Sequence, residues 1–332
     1  MKKVHLHVHV ALALAALTAT AAAADLRIGL IGLDTSHVVA FTQLLNNPAH
    51  KQHVAGGRVV AAFKGGSADV ESSASRVDEY TRQLEKEFGV EIVPSIEALC
   101  ARVDVVMLES VDGRPHLEQA RPVIKAGKRL FIDKPVAGTL KDAVEIFRLA
   151  REAGVPCFSS SAYRFYDGMT DLKKTDVGGV RGAISYGPSM LEPHHPDFFW
   201  YGVHPTEALF TVMGTGCQTV VRVSTPDTDV VAGAWSEGRT GTLIGLRTGD
   251  TPHKVVVFGA RKVAEQKPGG DYAPLVAEIM KFFQTGVAPV PPEETLEIFA
   301  FMEAADESKR LGGAPVTLET VLRKAGWTPP RK

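Results

Sequence analysis

The chain is poor in cysteine: 332 residues contain only Cys100, Cys157 and Cys217, in apolar or strand-like stretches without CxxC spacing. Three is too few and too odd a number for a disulfide framework, so each reads as a small buried hydrophobe. An excess of either charge is also missing. Lys+Arg number 37 against 38 for Asp+Glu, a formal net charge of -1, and no Lys/Arg cluster interrupts the balance. That argues against a nucleic-acid surface. Internal repeats and long disordered tracts are lacking too. What is present is ordinary for a globular protein with real cores: 45% hydrophobic and 23% charged residues, at a length that suits two domains.

The N-terminus, "MKKVHLHVHVALALAALTATAAAADLR", has Lys2 and Lys3, an apolar run, and small residues ending in an A-x-A pattern at Ala22–Ala24. It reads as a signal peptide over 1–24, with the mature chain beginning near Asp25. It lacks a twin arginine and a lipobox cysteine, and its run is too short and alanine-rich for a membrane span. The expectation is Sec-type export to the periplasm or beyond, without a membrane attachment after cleavage. His5, His7 and His9 leave with this segment.

From 25 to about 160, short apolar runs alternate with amphipathic stretches. "LRIGLI", "RVVAAF", "VDVVML", "RLFI" and "VPCFSS" read as buried strands. Val38/Phe41/Leu45, Tyr80/Leu84/Phe88 and Leu140/Val144/Phe147 recur at helical spacing. This rhythm predicts a Rossmann-type parallel sheet with right-handed crossovers, whose ligands sit beyond the carboxyl ends of the strands. Asp34–His37, Glu109–His116 and Asp133–Pro135 fall there. From 161 to 332 the rhythm changes. "VRGAISYG", "QTVVRVST", "DVVAGAW", "TGTLIGLR" and "HKVVVFG" are strands joined by turns, with helices at Pro205–Met213, Tyr272–Gln284 and Glu293–Leu311. The second domain is therefore expected to be α+β, with a mostly antiparallel open sheet.

Three islands in order resemble the glucose-fructose oxidoreductase, inositol dehydrogenase and MocA (Gfo/Idh/MocA) family. They are "GLIGL", "VDVVMLESVDGRPHLEQARPVIKAGKRLFIDKPVAG" and "YGVHPTEALFTVMG"; the tail "ESKRLGGAPVTL" is similar to the family's closing segment. The resemblance implies an NAD- or NADP-dependent oxidoreductase acting on a hydroxyl of a sugar or cyclitol. Its catalytic lysine falls on Lys134, beside Asp133 in place of the family's glutamate and before Pro135. Its acid/base histidine falls on His204, with Glu207 where the family has aspartate. A proton must leave as an alcohol is oxidised; a nearby ammonium polarises the oxygen and lowers an imidazole pKa. His116 is the loop histidine, facing the cofactor or merely opening a helix. Arg164 matches an arginine after the interdomain strand and serves either substrate or a salt bridge.

The chain departs from the family at the cofactor turn. The first glycine of GxGxxG is Gly32, but the second falls on Asp34 and the third on His37. A carboxylate at the second position points charge at a pyrophosphate that a helix N-terminus should attract. Asp34, Thr35 or Ser36 can instead cap the following helix. The second strand ends in Phe63–Lys64 without the acidic residue that holds the ribose; Lys64 either greets a 2'-phosphate or is ordinary surface. Trp200 replaces an aspartate of inositol-type members, leaving Asp197 as a substitute or Trp200 and Tyr201 to stack on a sugar. Two further readings stay open. Asp34, His37, Glu109, Asp112, His116 and His204 suit a zinc or manganese ion supporting non-redox carbohydrate chemistry, although no metal is the favoured expectation. Alternatively the chain captures a sugar without turnover. The open second sheet suggests a homo-oligomer.

Overall fold

The computed structural model describes residues 24–327. The signal-peptide reading lies almost wholly outside them. The first domain runs β1 (Leu26–Ile31), α1 (Ser36–Asn46), β2 (Gly57–Phe63), α2 (Glu71–Ala74), α3 (Val77–Phe88), β3 (Glu91–Val93), α4 (Ile96–Cys100), β4 (Val105–Leu108), α5 (His116–Lys125), β5 (Arg129–Asp133), α6 (Leu140–Glu152) and β6 (Cys157–Ser160). All pairings in this sheet are parallel, in the order β3-β2-β1-β4-β5-β6. Helices on both faces explain why Val105–Leu108 is apolar throughout and wholly buried. The order reverses between β1 and β4, the switch point where a doubly wound sheet opens a ligand crevice.

The chain continues through α7 (Asp167–Lys174), β7 (Val180–Pro188), α8 (Val203–Met213), β8 (Cys217–Ser224), β9 (Thr228–Trp235), β10 (Thr240–Leu246), β11 (Lys254–Gly259), β12 (Val263–Glu265), α9 (Ala273–Thr285), α10 (Pro292–Arg310), β13 (Val316–Thr317) and α11 (Leu318–Lys324). The second sheet has seven strands, ordered β12-β11-β7-β10-β9-β8-β13, and only β7 and β10 pair in parallel. Strand β9 alternates buried and open residues, as a sheet covered on one face must. Phe210 of α8 and Phe301 of α10 pack with Trp235 on the covered face.

Helix α9 crosses back. Its Leu275, Val276, Ile279 and Phe282 share a core with Ile28, Leu30, Phe131 and Phe158 of the first sheet. This tie between distant parts of the chain brings Tyr272, just before α9, to the mouth of the crevice. All three cysteines are free and buried, and burial pushes the Cys157 thiol up to about 12. No helix among the described residues is long and apolar enough to cross a membrane.

Candidate active site

A cleft of about 620 Å³ opens where the carboxyl ends of the first sheet meet the second domain. Thr35, Ser36, His37, Val111, Lys134 and Pro135 line it from the first sheet. Trp200, Tyr201, His204, His253 and Tyr272 line it from the other side, and Val70, Glu71, Ser75 and Arg76 close one end.

Lys134 follows β5 directly, so the end of that strand places it in the cleft. His204 is the second residue of α8, and its Nδ1 lies 2.7 Å from the Ser161 hydroxyl. The Ser161 oxygen also accepts the Tyr163 N–H at 3.2 Å. Burial, then the charges of Lys134, His253 and His37, hold the His204 imidazole well below its ordinary pKa. The uncharged form of the ring is thereby favoured. With the proton on Nδ1, donated to Ser161, the lone pair of Nε2 is free to take a proton from a bound hydroxyl.

Several expected contacts do not face this cleft. Arg164 and Glu207 form a buried ion pair, Nε to Oε1 at 2.7 Å; Arg164 also reaches Glu294 at 2.7 Å, and Glu207 accepts the Ser161 N–H at 2.8 Å. Their charges are spent beneath the site, orienting the Ser160–Ser161 segment. Asp197 turns away to Arg222 and Lys309, each at 2.6 Å, and so does not replace the missing aspartate. Lys64 pairs with Asp78 on the surface at 2.5 Å. His116 is fully buried, its ring nitrogens 2.9 Å from the Ser110 carbonyl and 3.2 Å from that of Val136. It braces two loops and contacts no cleft.

The cation-ligand set inferred from sequence is divided. Asp112 goes to His195 at 2.9 Å and to Arg114, while Asp34 and His204 have the partners described here. Of that set His37 and Glu109 come together, joined by Asp133, which the set did not include; they are the one such cluster among the described residues. Sequence reasoning missed Ser161, His253 and Tyr272, and Tyr166, which also lines the cleft. Ser161, directly after β6, carried a signal, because a polar residue past a parallel-strand end is a candidate. His253 and Tyr272 carried none; chain crossings bring them in.

This architecture is a Rossmann-type parallel-sheet domain, with a crevice at its switch point, followed by a mostly antiparallel second sheet. Residues 26–161, the first domain, match the oxidoreductase family with an NAD-binding Rossmann fold, Gfo/Idh/MocA. A 1,5-anhydro-D-fructose reductase of Ensifer adhaerens is 36% identical over 99 residues, covering 29% of this chain and 30% of that protein. A 2,7-anhydro-N-acetylneuraminate hydratase of Mediterraneibacter gnavus is 28% identical over 123 residues, covering 35% and 32%. These matches thus span under a third of the relatives' length. The apo scyllo-inositol dehydrogenase of Lactobacillus casei superposes with a TM-score of 0.74 over 89% of this chain and 98% of that one, at 13% identity, a likeness of fold alone.

The family's NAD would lie across the turn after β1, and here most of that turn is buried. Gly32 through Thr35 are all buried and only Ser36 is exposed. The Gly32 and Leu33 N–H groups donate to Phe63 and Lys64 carbonyls at 3.0 and 2.8 Å. A Cβ on Gly32 (φ +83°) would collide with Ser110, and one on Gly65 (φ +61°) would stand 3.1 Å from the Gly32 Cα. Between these walls, Asp34 accepts the Ser73 hydroxyl at 2.6 Å and the Val111 N–H at 3.0 Å. Burial raises its pKa against those bonds. The helix cap is Thr35, whose hydroxyl accepts the His37 N–H. The turn therefore keeps its first glycine and carries a carboxylate at the second, while Thr35, Ser36 and His37 at the start of α1 still line the cleft where the family's NAD would lie; the end of β2 offers the ribose no carboxylate.

Proposed function

We propose that this protein is an oxidoreductase-family enzyme that acts on a hydroxyl of a sugar- or cyclitol-like small molecule bound in the 620 Å³ cleft. The carrying observation is the His204 imidazole, its Nδ1 held 2.7 Å from the Ser161 hydroxyl in the same cleft as Lys134. Lys134 polarises the substrate oxygen and stabilises the charge that develops as its proton leaves. His204 takes that proton at Nε2, and Ser161 fixes the ring. Trp200 and Tyr201 offer apolar faces to a sugar ring. The Arg164–Glu207 pair positions Ser161 and touches no substrate. When bound, the family's NAD would supply the hydride acceptor for that oxidation, with Thr35, Ser36 and His37 at the start of α1 and Lys134 lining the cleft that would hold it.

The Asp34 carboxylate at that turn favours a second reading, chemistry without net redox; the Mediterraneibacter gnavus relative is named a hydratase. The two are separated by supplying the chain with anhydro-, keto- and cyclitol sugars in deuterated water. Solvent deuterium entering a substrate carbon without any change in NAD(P)H absorbance selects the second. Oxidation or reduction coupled to NAD(P) selects the first. A failure of every sugar to bind in calorimetry ends both. Export through the segment over 1–24 and homo-oligomer formation through the open sheet face, where Val223 and Phe258 are exposed, belong to the same proposal.

A further inference from the structure

Three side chains from three different elements converge under the cleft floor. His37 comes from the N-terminus of α1, Glu109 from the residue after β4, and Asp133 from the last position of β5. One ligand atom of each lies within 4.8 Å of the others, and all three residues are buried. The His37 Nδ1 is 2.6 Å from Asp133 Oδ2, while Asp133 Oδ1 accepts the Lys134 N–H at 2.8 Å.

Glu109 is the anomaly. It is 0% exposed, and neither carboxyl oxygen has a hydrogen-bond partner. A buried carboxyl is costly unless it is paired, and native structures rarely leave both oxygens empty. A proton removes the charge but leaves the O–H and C=O without partners. Lys134, beside both acids, supplies one positive charge against two carboxylates. A divalent cation would satisfy Glu109, Asp133 and His37 together. One imidazole nitrogen with two carboxylates suits first-row divalent metals better than calcium or magnesium, which favour all-oxygen sets. Tetrahedral bonds of about 2.0–2.1 Å place ligand atoms roughly 3.3 Å apart. The His37–Asp133 pair would then open by less than about 1 Å.

We infer that His37, Glu109 and Asp133 form a binding site for one Mn²⁺ or Zn²⁺ ion, which His37 connects to the cleft. The inference does not rest on the reaction proposed above, since sugar binding and metal content are measured separately.

The test is elemental analysis of the full chain purified without chelator or added metal, followed by calorimetric titration of the EDTA-treated protein with Zn²⁺ and then Mn²⁺. The expected result is a single site, about one ion per chain, with a higher melting temperature on loading. Glu109→Gln keeps the shape and removes one anionic ligand, so affinity falls at least 10-fold. His37→Gln does likewise by removing the nitrogen. Should either variant fail to fold, the wild-type titration decides alone. Wild-type protein that takes up neither ion at micromolar concentration overturns the inference. So does Glu109→Gln binding as tightly as wild type; Glu109 is then a neutral acid, and the amide melts no lower.

Discussion

Asp34 and Ser73 close a 2.6 Å hydrogen bond across the first βα turn, although 39 residues separate them. Through it the loop after β2 is pinned over the place where a Rossmann domain receives a pyrophosphate. One carboxylate at a glycine position thus changes both the charge of the turn and its accessibility.

Replacing Asp34→Gly should separate these effects. The Ser73 hydroxyl and the Val111 N–H lose their acceptor, at a cost of about 1–3 kcal/mol in chemical denaturation. The same change removes the carboxylate from the turn, so NAD(H) affinity measured by calorimetry should rise at least 10-fold over wild type. Equal affinities would mean that the loop, and not the carboxylate, governs access.

The buried Arg164–Glu207 pair makes a prediction about stability. Arg164→Met strands the Glu207 carboxylate, which is held at 2.7 Å, and leaves Glu294 without its partner. The expected loss is on the order of 3–5 kcal/mol, read as a lower urea midpoint. Glu207→Gln retains one acceptor and should cost less. A substrate-contact role would instead alter KM at unchanged stability.

His204→Asn should lower turnover by about 10²–10⁴-fold while sugar affinity changes only a few-fold, because the step lost is proton transfer. Ser161→Ala removes the hydroxyl that holds Nδ1 and should reduce kcat, leaving KM nearly unchanged. Steady-state kinetics on the substrate identified by calorimetry check both.

The cleft histidines set an acid limit on stability. Burial lowers the His253 pKa to about 4 from an ordinary 6.5. The unfolded chain therefore binds a proton that the folded one refuses, and stability falls as pH drops from 6.5 toward 4. His204 shifts in the same direction. His253→Asn should flatten that limb by on the order of 2–3 kcal/mol, seen as a smaller difference between melting curves at pH 7 and pH 4.5.

Much of the fold was legible from periodicity. "LRIGLI", "VDVVML" and "RLFI" are apolar because both faces of their sheet are covered, and α6 shows its buried stripe in Leu140, Val144 and Phe147. Strand β3 and strand β12 have three residues each and β13 two, too short for any period to register. Lys134 and His204 could be placed toward one cleft, because strand ends and helix starts are local features. Asp197 could not: its direction is set by Arg222, a fully buried side chain on β8, 25 residues further along the chain.

The sequence by itself determined the two-sheet architecture, the crevice at the switch point and the loss of two glycines from the turn. These follow from local hydrophobic patterning and from residue identity at a known position. Only the tertiary structure decided what became of the turn and of the charges around it. A carboxylate's partners come from segments far apart in the chain, and whether it meets a ligand, a hydroxyl or another acid depends on packing that no local pattern encodes. Asp34 is thereby bound to Ser73, Arg164 to Glu207, and Glu109 is left facing His37 and Asp133 with both oxygens free.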